Sequence, residues 1–279
     1  MEHSLPQRAF AETLGTALLV LVGPGSVVAT LTLAGKSTPA ITGADLLGIS
    51  VAFGLVIAAM VYAIGKVSGC HINPAVTFAL AVTKRHPWRE VPAYWGGQVA
   101  GALIGAFAIW AVFGQSGIDL GMGQTSFNES TSTWASAIFA EGIGTFILMF
   151  TILGIVDKRS PGDFAGLIIG GVVVAIIMVV GPITGASLNP ARAFGPELVS
   201  AIGSGKTSWS QLIPVYVLPG LVGSALAAFA YDFLAKPRIE EAPAWTPASR
   251  TRGLVCCHSS HVGVLPSLCL HACWGSDGG

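Results

Sequence analysis

The chain consists of long apolar segments separated by short polar ones. A helix needs roughly 20 predominantly apolar residues to cross a hydrocarbon core of ~30 Å. Six segments have about that length, so the pattern predicts six transmembrane helices. These segments cover residues 10–32, 44–65, 91–113, 135–156, 164–181 and 212–234.

Two further apolar segments, 74–83 and 190–201, are only about half as long. At a rise of ~1.5 Å per residue, a helix of this length reaches roughly 15 Å into a membrane. Short helices at membrane depth occur where the backbone beside them lines a cavity or is buried in protein. The fold class predicted is therefore an all-α membrane protein, with six transmembrane helices and two re-entrant half-helices.

The sequence repeats itself once. The stretch FAETLGTALLV (10–20) matches FAEGIGTFILM (139–149), and VPAYWGGQVAGALIGAFA (91–108) matches IPVYVLPGLVGSALAAFA (213–230). Each half then contains two spans, a half-helix and a third span. An odd number of spans per half inserts the second half upside down, which predicts an inverted repeat with its binding site near the midplane.

Composition agrees with a membrane location, because 52% of the residues are hydrophobic and only 10% are charged. Soluble domains carry about 25% charged residues. The formal net charge of zero indicates neither nucleic acid nor an acidic partner. We therefore predict a multi-pass protein of the cell membrane, surrounded by lipid.

Lys and Arg indicate the orientation of the chain, since loops on the cytoplasmic side carry an excess of them. One side of the predicted topology holds most of these residues, and both termini lie on that side. The opposite side holds Lys36 and Lys206, and Arg192 is set aside as a pore candidate. Both termini are therefore predicted to be cytoplasmic. The cations of the cytoplasmic side are Arg8, Lys66, Lys84, Arg85, Arg89, Lys158, Arg159, Lys236, Arg238, Arg250 and Arg252.

Glycines spaced four apart lie inside the apolar segments. Gly97, Gly101 and Gly105 form one series, and Gly166 and Gly170 form another. Small residues at this spacing let membrane helices approach each other closely. The pattern predicts tight helix contacts along both series.

Two Asn-Pro-Ala tripeptides begin the two short segments. They are Asn73-Pro74-Ala75 and Asn189-Pro190-Ala191. Asn is a strong N-cap and Pro fits the first helical position, so each tripeptide predicts the start of a half-helix. The inverted topology brings both helix starts together at the midplane.

This meeting point has a chemical consequence. Each helix N-terminus carries about half a positive charge, and two of them repel cations and hydronium. Each Asn caps its helix with the side-chain oxygen, while its amide donors face the lumen. A water molecule that accepts from both amides points its hydrogens away from the centre and so interrupts a proton wire. The pattern favours passage of neutral solutes and exclusion of charge.

The segments before the tripeptides are predicted to be extended, with carbonyl groups that form a row of acceptors along the lumen. Their backbone lies at a depth where irregular structure must line water or be buried. Cys70 is the repeat counterpart of Ala186 and is predicted to face the lumen. For His71 we expect a structural role, with proton gating as the alternative. The predicted carbonyl row comprises Gly69, Cys70, His71, Ile72, Gly185, Ser187 and Leu188.

The residues SGCHINPAVT and SLNPARAFGP, the Ala-Glu-x-x-Gly-Thr pairs and the half-chain repeat resemble the aquaporin (major intrinsic protein) family. The resemblance covers about residues 8–235, and GCHINPAVT is most similar to archaeal-type aquaporins. It implies a homotetramer with one pore per subunit, and water as the solute that passes.

The resemblance also implies a selectivity filter around Arg192, which lies three residues after Asn189. An Arg at this depth costs at least ~2.5–3.5 kcal/mol, which argues against a structural accident. By family spacing the other filter residues are Phe53, Ile177 and Ala186.

The identity of two positions suggests an intermediate filter. Ile177 stands where water-selective members carry His, and Ala193 stands where glycerol facilitators carry Asp. We expect water conduction with weaker exclusion of glycerol, carbon dioxide or hydrogen sulfide.

Two acids, Glu12 and Glu141, lie at equivalent positions within the first and fourth spans. Acids inside a membrane are costly and are functional by default, which allows a proton-coupled carrier. The resemblance favours another role, in which each carboxylate accepts hydrogen bonds from the backbone of a re-entrant loop. Gln98 is expected to help in the same way.

The tail, residues 236–279, differs in composition from the rest of the chain. It contains four of the five cysteines, but their spacing fits no zinc template, so we predict a disordered tail without a metal site. Asn128 begins a glycosylation triplet and is expected to be unmodified. The predicted domains are an N-terminus (1–9), a channel domain (10–235, with repeats over about 10–113 and 135–234) and the tail (236–279).

The residues leave several functions open. A passive channel for water and small neutral solutes explains most of the pattern. A glycerol-preferring facilitator, an ion-coupled transporter and a non-conducting structural membrane protein remain alternatives. An enzyme is not expected, since the membrane segments hold no nucleophile–base pair or metal cluster, and no cofactor is expected.

Overall fold

The computed structural model describes residues 3–35 and 41–236. Within these residues the secondary structure is helical, without β-strands. The predicted tail falls outside the described residues, apart from Lys236. The α-helices are α1 (Leu5–Leu33), α2 (Gly43–Ser68), α3 (Pro74–Val82), α4 (Val91–Phe113), α5 (Gln115–Asp119), α6 (Trp134–Val156), α7 (Ala165–Thr184), α8 (Pro190–Ile202), α9 (Trp209–Gln211) and α10 (Leu218–Ala235).

Six of the described helical segments are long and apolar enough to cross a membrane. They contain α1, α2, α4, α6, α7 and α10, and the sixth begins early, at Trp209, because a π-helical turn (Leu212–Val217) joins α9 to α10. The half-helices α3 and α8 begin at Pro74 and Pro190. The predicted fold class is confirmed.

The first helix begins five residues earlier than the apolar pattern predicted, at Leu5. Its polar start is held in place by other polar groups. The Gln7 side chain accepts from the Ser4 N–H at 2.8 Å, and Arg8 forms a two-pronged ion pair with Glu90 at 2.7 and 3.0 Å. The helix therefore continues beyond the apolar segment.

The helix pairs follow the internal repeat. α1 packs on α2 and α4, as α6 packs on α7 and α10, and α2 meets α7 between the two halves. Each half-helix contacts the other repeat, since α3 packs against α10 and α8 packs against α4. Each half-helix is thus held by the last span of the other repeat.

Glycines allow the closest of these contacts. A Cβ atom placed on Gly101 of α4 would lie 2.2 Å from the carbonyl oxygen of Thr13 in α1. Its repeat counterpart Gly223 in α10 stands in the same relation to Gly142 in α6, at 2.1 Å. Only a residue without a side chain fits at such distances. Equivalent contacts below 3 Å occur at Gly97 with Ala9, Gly105 with Ala17, Gly166 with Ala58 and Gly170 with Gly54, which confirms the predicted tight contacts.

Candidate functional site

Both Asn-Pro-Ala tripeptides cap a half-helix. The Asn73 Oδ1 accepts from the Ala75 N–H at 2.9 Å. The Asn189 Oδ1 accepts from the N–H groups of Ala191 and Arg192 at 3.0 and 3.3 Å. The two caps satisfy helix-start donors that would otherwise lack partners, so α3 and α8 begin where the sequence predicted.

The two asparagines also bind each other's loop. The Asn73 Nδ2 donates to the Leu188 carbonyl at 2.7 Å, and the Asn189 Nδ2 donates to the Ile72 carbonyl at 2.8 Å. An amide nitrogen has two N–H groups, so one per asparagine remains after this bond. The expectation that all amide donors face the lumen therefore needs correction. The Ile72 and Leu188 carbonyls, in turn, each use one of their two lone pairs on the opposite asparagine.

The sequence predicted extended backbone in the segments before the two tripeptides, and this prediction is wrong. Several residues in each have left-handed backbone, including the β-branched Ile72 at φ +42°. Successive backbone N–H groups in such a chain converge on one point and form a cradle for an anion. The carboxylates of Glu12 and Glu141 occupy these cradles. The left-handed residues are Gly69, Cys70 and Ile72 in the first loop, and Gly185, Ala186 and Leu188 in the second.

Glu12 is completely buried and holds the first loop. Its carboxylate accepts from the N–H groups of His71 and Ile72 at 2.9 and 2.5 Å, and from the Ser68 hydroxyl at 2.7 Å. The Gln98 amide adds a fourth bond at 2.8 Å. Both carboxylate oxygens of Glu12 therefore accept hydrogen bonds from the protein.

Glu141 holds the second loop in the same way. It accepts from the N–H groups of Ser187 and Leu188 at 2.9 and 2.8 Å, and from the Thr184 hydroxyl at 2.6 Å. A repeat-related tyrosine pair fixes the helix ends just before the loops, since Tyr94 donates to Ser68 O and Tyr216 donates to Thr184 O. The carboxylate support therefore occurs twice, once per repeat.

A cavity of about 270 Å³ runs between the half-helices and α2, α6 and α7. Asn73 and Asn189 line it, and apolar side chains form much of the remaining wall. Of the predicted carbonyl row, all members except Gly185 line the cavity. Gly185 instead ends α7 and packs against Thr125. The apolar wall includes Leu19, Ile57, Val61, Leu148, Ile169 and Val173.

The four predicted filter residues lie on the same cavity. The Arg192 guanidinium carbon lies 5.1 Å from the centroid of the Phe53 ring, which is within cation–π range. Its Nη1 donates to the Gly123 carbonyl at 2.9 Å, while its buried Nε has no partner among the described residues. The structure thus brings together Arg192, Phe53, Ile177 and Ala186, and their role as a filter remains a prediction.

His71 lines the cavity and is bound on its other side to the protein. Its Nδ1 lies 3.1 Å from the Thr77 hydroxyl, and its ring packs near those of Tyr94 and His86. His86 was not singled out from the sequence, because it lies in a short polar connection. Burial lowers the pKa of His86, Glu90 opposes that shift and Arg8 adds to it, so the surroundings favour the neutral ring.

Comparison with known proteins identifies the fold. The family model described as Major intrinsic protein matches residues 2–231. The chain belongs to this family. The family assignment confirms the resemblance seen in the motifs, and as a member of the major intrinsic proteins the chain is a multi-pass membrane channel and not an enzyme.

Individual relatives agree with this assignment. The chain is 45% identical to Aquaporin AqpM of Methanothermobacter marburgensis over 243 residues, which is 83% of this chain and 98% of that protein. It is 35% identical to Aquaporin NIP1-1 of Oryza sativa subsp. japonica over 232 residues, 82% of this chain and 74% of that protein. Similarity to the archaeal protein agrees with the archaeal-type motif of this major intrinsic protein.

A solved structure is similar as well. The aquaglyceroporin from Plasmodium falciparum superimposes with a TM-score of 0.73 at 27% sequence identity. The match covers 83% of this chain and 97% of that structure. This major intrinsic protein therefore shares its architecture with a structure described as an aquaglyceroporin.

Proposed function

We propose that the chain forms a passive pore for water, with some permeability to small neutral solutes such as glycerol, carbon dioxide or hydrogen sulfide. The observation that carries the proposal is the meeting of two capped half-helices at one cavity, with an unused amide N–H on each asparagine. Membership of the major intrinsic protein family supports a passive channel.

Water passes the asparagines as an acceptor. A water molecule between Asn73 and Asn189 accepts from both free amide N–H groups, which fixes the orientation of its oxygen. Its hydrogens then point along the pore in opposite directions, away from the centre. Protons cannot hop through a water held in this orientation, although the water itself moves on.

Cations are excluded by two positive features. The N-termini of α3 and α8 each contribute about half a positive charge at the same depth. Arg192 adds a full charge at the constriction, and the apolar walls do not screen it. Together these features favour neutral solutes.

The filter residues govern which neutral solutes pass. Phe53 narrows one wall beside Arg192, while Ile177 offers no hydrogen bond and Ala186 occupies little volume. This combination supports water as the main solute and leaves glycerol as a slower one. A pore that prefers glycerol is the alternative within the same fold.

An ion-coupled carrier finds less support. A carrier of that kind would need Glu12 or Glu141 to bind and release protons during transport. Both carboxylates instead hold loop N–H groups at hydrogen-bond distance. Protonation would remove acceptors that the loops need, so the two acids are better explained as supports.

For the assembly and its placement, we propose a homotetramer in the cell membrane with both termini cytoplasmic. The tetramer follows from the family resemblance, and large apolar residues exposed on the outer helix faces supply surface for lipid and for neighbouring subunits. The orientation follows from the excess of Lys and Arg on the side of the termini. Examples of the exposed apolar residues are Phe10, Leu55, Phe107, Phe139 and Val179.

Stopped-flow light scattering of proteoliposomes tests the main proposal. After a sucrose step, vesicles with the protein are expected to shrink faster than empty vesicles, with a weak temperature dependence and no response to ionophores. A glycerol gradient in place of the sucrose step measures the permeability to glycerol. Shrinkage equal to that of empty vesicles, or flux that collapses when an ion gradient is removed, would contradict the proposal.

Cys70 gives an internal control for the position of the pore. This residue lines the cavity and is a free thiol, so a mercurial bound to it should block the flow of water. The variant Cys70→Ser should conduct water and resist the mercurial, although the tail cysteines are still present. Equal inhibition of both proteins would place the reactive thiol elsewhere.

Arg192 is expected to control selectivity more than flow. The variant Arg192→Val removes a charge and widens the constriction, so the ratio of glycerol to water permeability should rise roughly tenfold, as expected when a charged hydrogen-bonding group is lost. Arg192→Lys keeps the charge without the planar fork and should give an intermediate ratio. An unchanged ratio in both variants would show that Arg192 does not select between glycerol and water.

A further inference from the structure

The position of Arg192 depends on residues 121–127, which we call the filter loop. Among the described residues, the one hydrogen-bond acceptor of the Arg192 guanidinium is the Gly123 carbonyl, at 2.9 Å. A small shift of this carbonyl would move the guanidinium relative to Phe53 and would open or narrow the space between them. A residue that fixes the position of the filter loop therefore affects which solutes pass.

One end of the filter loop is limited by contact with α1. A Cβ atom on Gly123 would lie 2.2 Å from the carbonyl oxygen of Pro24, and Gly123 has φ +64°. The contact prevents movement of the loop towards α1. It does not prevent movement in the opposite direction, so a second restraint is needed.

Gln211 supplies a buried restraint at the other end, in addition to the exposed bond from the Gln124 side chain to the Lys206 carbonyl at 3.0 Å. Its Oε1 accepts from the Phe127 N–H at 3.0 Å, and its Nε2 donates to the Phe127 carbonyl at 3.0 Å. Both residues are buried, so the paired bonds are shielded from water. The Phe127 ring also packs edge-on against Trp134, with centroids 5.1 Å apart. A side-chain amide is required, because it offers a donor and an acceptor side by side.

We infer that Gln211 is a positioning residue for solute selection, because it anchors the filter loop whose Gly123 carbonyl orients Arg192. The inference rests on the proposed function, since it assumes that Arg192 selects solutes. Gln211 does not line the cavity and touches no solute. Replacement of Gln211 leaves the pore open but allows the Arg192 side chain to move.

The test compares Gln211→Leu with a matched control, Gln115→Leu, in proteoliposomes. Leu is similar in size to Gln but makes neither bond to Phe127. Gln115 is exposed on α5, and within the described part of the chain its amide reaches only Asp119 of the same helix, at 3.4 Å. For Gln211→Leu we expect retained water permeability and a glycerol-to-water ratio raised by about threefold or more, since one positioned hydrogen bond is worth a factor of roughly two to ten. The control should match the wild type.

Hydrogen–deuterium exchange of the same proteins measures the mobility of the filter loop independently of transport. The peptide containing residues 123–127 should exchange faster in Gln211→Leu than in the wild type or the control. Gln211→Glu keeps the acceptor for the Phe127 N–H and should show smaller changes in both measurements. If Gln211→Leu fails to fold, a raised ratio and faster exchange in Gln211→Glu are required in its place.

The outcomes separate the two proposals. Wild-type vesicles that conduct no water would refute the proposed function. Wild-type conduction with an unchanged glycerol-to-water ratio in the folded Gln211 variants would overturn the role of Gln211 alone. Unchanged exchange of the filter loop would overturn it as well.

Discussion

Replacement of Glu141 by alanine is expected to abolish both the folded state and the flow of water. The change leaves the N–H groups of Ser187 and Leu188 and the Thr184 hydroxyl without their acceptor. Each buried unsatisfied donor costs about 1–3 kcal/mol. The sum is a large part of the 5–15 kcal/mol that typically separates folded from unfolded protein. Yield of monodisperse protein in detergent and thermal aggregation measure the first effect, and vesicle shrinkage measures the second.

Glu141→Gln serves as the graded comparison. The amide keeps one carboxyl oxygen and places an NH₂ group against a loop N–H, so part of the support is lost. Its yield and water permeability are expected to lie between those of the wild type and Glu141→Ala. A folded, conducting Glu141→Ala protein would show that the second loop does not need the carboxylate.

Gly101→Ala is the second substitution with a large expected effect. The new methyl would lie 2.2 Å from the Thr13 carbonyl oxygen and 3.0 Å from the Thr16 Cβ, and both belong to α1. α1 and α4 would have to separate, which typically costs about 1–3 kcal/mol and occasionally more. We expect a lower melting temperature and a marked loss of folded protein.

The same helix contains the matched control. A Cβ atom on Gly96 meets no atom of residues 3–35 and 41–236 within 4 Å. Because Ala is favoured over Gly in a helix by about 1 kcal/mol, Gly96→Ala should be neutral or stabilising. The two substitutions are chemically identical and differ only in what the methyl contacts. Equal melting temperatures for both variants would show that the close approach of α1 and α4 is not required.

The helical frame could be predicted from the sequence because its signals are local. The half-helices begin at Pro74 and Pro190 since Asn-Pro is itself the start signal, and the six spans follow from the length of each apolar segment. The repeat placed Glu12 and Glu141 at equivalent positions, and the family resemblance implied their role as partners of the loops. These features depend on neighbouring residues or on symmetry between the halves.

The details of the loops could not be predicted, because they depend on distant partners. Ile72 is held in a left-handed conformation by a carboxylate 60 positions away, and local preference alone would favour extended backbone there. The donation from Asn73 to Leu188 spans 115 positions. Gly123 and Gln211 lie in polar stretches without helical or strand periodicity, so no pattern singled them out.

The reciprocal asparagine bonds have a consequence for biogenesis. Asn73 is tied to a carbonyl 115 positions later, and Asn189 is tied to one 117 positions earlier. The first half of a nascent chain leaving the ribosome therefore lacks the opposing wall and cannot form a conduit by itself. An open route across the bilayer arises only when the last helices have been inserted, so incomplete translation products should not leak ions from the cell that makes them.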